Sequence, residues 1–390
     1  MRPRLNNILL LFTSIATFFL LLELSLALFA PHKLRIQPYH ETYDPVMGWV
    51  NKPLKDEGVH FEFARDRFFQ VRHNSLGLRG PETTKEKPRG TKRILLVGDS
   101  FFWGYGVSDD NVLSAVLQKE LPPAVEVLNG GTTGYGTDQA HLWLKHAGLS
   151  LQPNIVLFGF TAANDLDEIA SSVQYYSPKP LFMLEGGELV LKNVPVPRSE
   201  QTDRKTFGKP RTLFGKVKKF LRFHTHTYQF IMGRLNSNPE IRLLLINLGL
   251  AEEYSQDIGD IPVLTNPPEQ VREIAFRLIR ESRKAAEASG AAFVLVFIPE
   301  KEEDRSGRVQ LQGVKEGTYE RNSALSAALS AFSRRERIPY LDLLPFSRTQ
   351  CRQGLSLYTV DRSDHHWTAD GHRRIAGEVL QFLRKERLLP

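Results

Sequence analysis

Five short runs rich in apolar residues, at 94–98 (ILLVG), 125–128 (VEVL), 155–160 (IVLFGF), 292–298 (AFVLVFI) and 339–344 (PYLDLL), stand out along the chain. They are mostly continuous rather than alternating, which is the pattern of strands buried on both faces. Helical stretches near 110–120, 138–149, 268–289, 317–336 and 369–387 lie between or after them. Strand and helix in alternation predict a three-layer α/β/α sandwich around a mainly parallel five-stranded sheet. The last helix carries Ile375, Val379 and Leu383 on one face and begins after Thr368, a residue suited to an amino cap.

Two segments depart from this alternation. From Ile8 to Ala30 the chain reads ILLLFTSIATFFLLLELSLALFA, with no polar face. At about 1.5 Å per residue this crosses a hydrocarbon core of about 30 Å. Ala30 suits the last position before a signal-peptidase cut but Leu28 does not suit the third-last, so an uncleaved anchor is expected. Arg2 and Arg4 precede the span, and the expected orientation is amino end inside, with the body extracytoplasmic. Glu23 is costly in a bilayer but lies close enough to the exit to reach the interface.

The second departure runs from about 167 to 265. It holds a predicted hairpin, KPLFMLEGGELVLKNV, turning at Gly186 and Gly187, and closes at Asn266 and the Pro267-Pro268 pair. An insertion entering after a strand's carboxyl end is either a cap over the edge where open α/β sheets bind ligands or an ornamental surface addition. The expected organisation is an anchor over 1–35, a strand- and turn-rich leader over 36–92, and a catalytic-type α/β domain over 93–390 carrying this insertion.

Composition narrows the class. The 390 residues are 41% hydrophobic with 28 Gly, an ordinary globular balance that excludes disorder, collagen and coiled coil. A single cysteine, Cys351, excludes an intramolecular disulfide framework and any multi-cysteine zinc site.

Candidate chemistry collects at strand ends. Ser100 follows RILLVGD, at the carboxyl end of the first parallel strand, where a helix amino terminus favours developing negative charge. Asp99 and Ser100 are also ordinary helix caps. After the second strand, VLNGGTTGYGTDQ has four glycines in positions 130–136, a backbone able to bring an N–H close to a ligand. After the third, FGFTAANDLDE offers the Asn164 amide as a donor to an oxyanion. Near the end, SDHHWTADGHRR places Asp364, His365, His366 and His372 together. A base for Ser100 is most naturally a histidine held by a carboxylate. A metal reading of that group is poor, because His365 and His366 diverge as neighbours and no matching ligand cluster occurs elsewhere.

With nucleophile, backbone donor, amide donor and Asp/His base in chain order, the sequence resembles the SGNH hydrolases, the GDSL esterases and lipases, over roughly 93–170 and 290–387. The resemblance implies a flavodoxin-like fold. It also implies Ser100 as nucleophile and first oxyanion donor, Gly134 and Asn164 as the other two donors, His366 as base and Asp364 as its orienting acid. Ala162 stands where the family often has glycine, and Asp364 is two residues from His366 rather than the common three. That spacing resembles the branch containing alginate O-acetyltransferases, and Asp361 is the fallback acid. The stretch YDPVMGWVNKP…NSLGLRGPE resembles the leader of membrane-anchored members.

The implied function is hydrolysis of an acyl, most simply acetyl, ester of a glycan or lipid. The alternatives are O-acyl transfer to or from an envelope glycan, or a catalytically silent tethered binding protein. No metal or organic cofactor is called for. A nucleic-acid partner, which would require a basic face interleaved with stacking aromatics, is not expected. The formal net charge of +7 has a local origin: Arg204, Lys205, Lys209, Arg211, Lys216, Lys218, Lys219 and Arg222 cluster without an acid among them, leaving the rest close to neutral. Phe214, Val217 and Leu221 share a helical face there, so the segment is either a solvated basic loop or one that lies on an anionic lipid surface.

Overall fold

The computed structural model describes residues 2–30, 40–53, 58–60, 68–175, 177–198, 217, 220, 221, 224–228, 230, 231, 261–302, 304–311, 314–359 and 365–389. The chain divides into two compact units, one of Met1–Gln37 with Arg204–Asp257, the other of Pro38–Asp203 with Ile258–Pro390.

In the first unit, α1 (Arg2–Phe29) contains a 21-residue stretch, Leu9–Phe29, long and apolar enough to cross a membrane. Glu23 finds partners within this unit. Its carboxylate accepts hydrogen bonds from the backbone N–H groups of His226 (2.7 Å) and Thr227 (2.8 Å), which satisfies the charge locally. The eight basic residues of 204–222, and Phe214, lie outside the described residues; Val217 and Leu221 are described and exposed.

The second unit opens with two hairpins, β1 (Glu41–Asp44) with β2 (Gly48–Asn51) and β3 (Gly58–His60) with β4 (Phe68–Gln70). Then come β5 (Lys92–Val97), α2 (Ser100–Trp103), α3 (Leu113–Glu120), β6 (Val125–Asn129), α4 (Thr137–His146), β7 (Ile155–Thr161) and α5 (Asp165–Ile169). Two more hairpins follow, β8 (Val173–Gln174) with β9 (Ser177–Pro178) and β10 (Leu181–Glu185) with β11 (Glu188–Lys192). The chain resumes with α6 (Pro268–Ala288), β12 (Ala292–Ile298), α7 (Thr318–Glu336), β13 (Tyr340–Asp342), α8 (Leu344–Arg352) and α9 (Ala369–Lys385).

The five predicted runs form one wholly parallel sheet in the order β13-β12-β7-β5-β6. Successive residues of each strand enter opposite cores. Leu95, Val97, Phe158, Phe160, Leu295 and Phe297 face α4, α6 and α7. Ile94, Leu96, Leu157, Val294, Val296 and Ile298 face α2, α3 and α9. Burial on both faces is why these strands lack alternation. Thr368 caps α9 by accepting from the Gly371 N–H at 2.9 Å, and Ile375, Val379 and Leu383 are buried as their spacing predicts. The predicted hairpin turns between Glu185 and Glu188, which pair. Asn266 closes the insertion by donating to the carbonyls of Ile169 and Phe182, both at 2.8 Å.

Residues 38–92 pack into the same unit as the sheet. The buried Arg79 guanidinium donates to the carbonyls of Trp103 (2.8 Å), Gly104 (2.6 Å) and Val107 (2.6 Å) and pairs with Asp109 at 3.1 Å. It thereby satisfies carbonyls at the carboxyl end of α2 that would otherwise be orphaned.

Candidate active site

At the carboxyl end of β5 the chain turns into α2, and the turn is held by Asp99. Its Oδ1 accepts from the Phe101 N–H at 2.9 Å, making it the amino cap and leaving Ser100 as the first helical residue. The Ser100 Oγ lies 2.7 Å from Nε2 of His366, across 266 residues of sequence. The His366 ring packs against Tyr105 (centroids 4.5 Å) and Phe101 (5.0 Å), which restricts its rotation. Its backbone is anchored too: the His366 carbonyl accepts from Thr359 N–H at 3.0 Å, and Trp367 bridges to Tyr358. Asp361 and Asp364, which fall between Thr359 and His366 in the sequence, are outside the described residues.

The glycine-rich loop after β6 is tied down from two sides. On the sheet side, Thr132 N–H donates to the Gly98 carbonyl at 3.0 Å, and Asn129 Nδ2 donates to the Phe102 carbonyl at 2.7 Å. At Gly131 a Cβ would lie 2.4 Å from the Trp103 nitrogen, so only glycine lets the loop meet α2 this closely. On the other side, Asn51 Nδ2 donates to the Gly131 carbonyl (2.9 Å), Trp49 Nε1 to the Thr133 carbonyl (2.9 Å), and the Tyr135 hydroxyl to the Trp49 carbonyl (2.5 Å). Gly134 has φ +68°, a left-handed conformation that turns the backbone after Thr133.

Asn164 follows β7, and its Nδ2 donates to Glu168 Oε1 at 2.8 Å and reaches Asp99 Oδ2 at 3.5 Å. The adjoining Ala162 extends the strand by donating its N–H to the Ile298 carbonyl at 2.9 Å. Buried acids surround this amide: Asp99, Asp165 and Glu168 are each 3% exposed or less. Burial raises all three pKa values, Glu168 to about 8, and mutual repulsion adds to the effect at Asp165 and Glu168. A wholly buried ion pair, Lys179 with Asp138, lies alongside, and Lys179 Nζ also donates to the Glu168 carbonyl at 2.9 Å.

Of the residues singled out in the sequence, Ser100 and His366 meet directly, and Asn164 reaches the cap residue of Ser100's helix. His372 does not join that contact: it is buried on the α2/α3/α9 face of the sheet beside Trp367, its Nδ1 accepts from Leu113 N–H at 3.1 Å, and burial lowers its pKa to about 3. Trp49, Asn51 and Arg79 fall in the leader stretch that carries a family resemblance, but without any sign of their role, and Glu168 is marked only by its four-residue spacing from Asn164, one helical turn.

No family model and no curated protein matches the chain. Solved structures do resemble it. They include a member of the lipolytic protein G-D-S-L family from Veillonella parvula DSM 2008, 10% identical with a TM-score of 0.38, the match covering 75% of this chain and 97% of that one. A GDSL-like lipase from Bacteroides thetaiotaomicron VPI-5482 is 10% identical with a TM-score of 0.37 over 78% and 93% of the two chains. The native aryl esterase of M. smegmatis is 14% identical with a TM-score of 0.37 over 77% and 100%. The chain is thus similar, at low identity, to solved structures of lipolytic and esterase proteins of the G-D-S-L kind.

Proposed function

We propose that this protein is a membrane-anchored serine esterase of the SGNH type, acting on an acyl, most simply acetyl, ester of a glycan or lipid. The observation that carries the reading is the 2.7 Å contact between Ser100 Oγ and His366 Nε2 at the carboxyl edge of a parallel sheet. In this scheme His366 takes the Ser100 proton as the oxygen attacks the ester carbonyl, and Asp364 orients the imidazole and stabilises its charged form. The oxyanion is held by the N–H groups of Ser100 and Gly134 and by the Asn164 amide. His366 then returns the proton to the leaving alcohol, and water releases the acyl group in a second passage through the same groups. The α1 helix keeps the catalytic body at the outer face of the membrane.

Fluorophosphonate labelling of the full-length protein in detergent tests the nucleophile: label is expected on wild type and absent from Ser100→Ala. Label retained in that variant removes Ser100 from the mechanism, and no label on wild type favours a silent binding protein. Acyl release from acetylated glycans and lipids, measured with and without an acceptor sugar, separates hydrolysis from O-acyl transfer.

A further inference from the structure

Glu168 takes no part in that scheme, yet it is completely buried beside the proposed oxyanion donors. Its Oε1 accepts from Asn164 Nδ2 (2.8 Å), Gln174 Nε2 (3.3 Å) and the Tyr175 hydroxyl (3.3 Å). Its Oε2 is buried with no hydrogen-bond partner among the described residues. Tyr175 continues the connection, because its ring lies on Gly134: a Cβ added there would come within 2.8 Å of the ring's Cε2. One carboxyl group therefore touches Asn164 directly and reaches the Gly134 backbone through a single side chain.

The charge state of that group matters to the reaction. An ionised carboxylate 2.8 Å from the amide that must receive an oxyanion would oppose the charge the amide is there to stabilise. An unpartnered oxygen is also far less costly on a neutral acid than on a carboxylate. We infer that Glu168 is a positioning residue of the oxyanion hole, holding Asn164 and, through Tyr175, Gly134, and that it does so in its protonated form. The inference rests on the serine-hydrolase reading above. The charges facing it agree: Asp165 on its own helix, Asp99 before α2 and Asp138 on α4 oppose its ionisation, while Lys179 is the nearby cation and is engaged by Asp138. Burial, then Asp99, lift its pKa to about 8.

The test uses full-length protein in detergent, p-nitrophenyl acetate turnover and the rate of fluorophosphonate labelling at Ser100, each followed from pH 6 to pH 10. In wild type both rates are expected to fall as pH rises through about 8. Glu168→Gln, neutral at every pH and of the same shape, is expected to keep the rate at pH 7 within about threefold and to lose the alkaline fall. Glu168→Ala is expected to lower kcat at pH 7 by roughly tenfold or more with KM nearly unchanged, as loss of a transition-state contact requires. An identical alkaline fall in Glu168→Gln and wild type, or a wild-type kcat in Glu168→Ala, overturns the role of Glu168. Absence of Ser100 labelling in wild type at any pH instead overturns the hydrolase reading itself.

Discussion

Asn164 is the residue on which the proposed chemistry is most exposed to test, because its amide already has an acceptor at rest. Its Nδ2 donates to Glu168 at 2.8 Å and, more weakly, to Asp99 Oδ2 at 3.5 Å. Asn164→Ala is expected to cut kcat by about 10²–10³, or about 2.7–4 kcal/mol, with little change in KM, and steady-state kinetics on an activated acetyl ester checks it. Recovery of full kcat in that variant would remove the amide from the hole. Ser100 and His366 were legible because their motifs fall at strand and helix boundaries. Glu168 was not, since an acid in an acidic run reads as solvated until packing shows it at 0% exposure.

At the scale of elements, long runs were read almost to the residue: β12 spans the predicted 292–298 and α6 spans 268–288. Short elements were left without bounds, even where, as at Asp99 and Ser100, their start was anticipated. α2 and α5 have four and five residues, too few for a period to register, and their ends depend on tertiary partners such as Arg79. The leader is the plainest case, since nothing in its composition announces that Asn51 and Trp49 hold the glycine-rich loop. Arg79→Met is expected to destabilise the second unit by about 3–5 kcal/mol in denaturant melts, because it leaves three carbonyls without their donor and takes from Asp109 the buried one of its two arginine partners, Arg72 remaining. A body truncated to begin at residue 93 is expected to be insoluble or inactive where one beginning at residue 38 folds; equal activity from both would show the leader to be dispensable.

Across the whole molecule, buried titratable groups of two kinds set a pH optimum for stability. Burial lowers His73 and His372 to about 3 and His141 to about 4. Their contribution is fully present above the unfolded value of 6.5 and is lost as pH falls toward the folded values. Glu168 works in the opposite sense: its contribution is complete below its unfolded value of 4.5 and is lost as pH rises to about 8. Between 4.5 and 6.5 the two oppose each other, and above 6.5 the raised acids alone act. Denaturant melts of the full chain are therefore expected to show stability declining from pH 6.5 to 8, and the decline should be shallower in Glu168→Gln; a slope unchanged by that substitution would place the loss elsewhere. The bond between Glu23 and the N–H groups of His226 and Thr227 bears on maturation. A leader discarded after export takes all its contacts with it, whereas here removal of the first thirty residues would leave two amides some two hundred positions downstream without their acceptor. Helix α1 is in that sense a built-in partner of the segment around residues 226 and 227, and cutting it away would remove an acceptor that this segment has within its own unit.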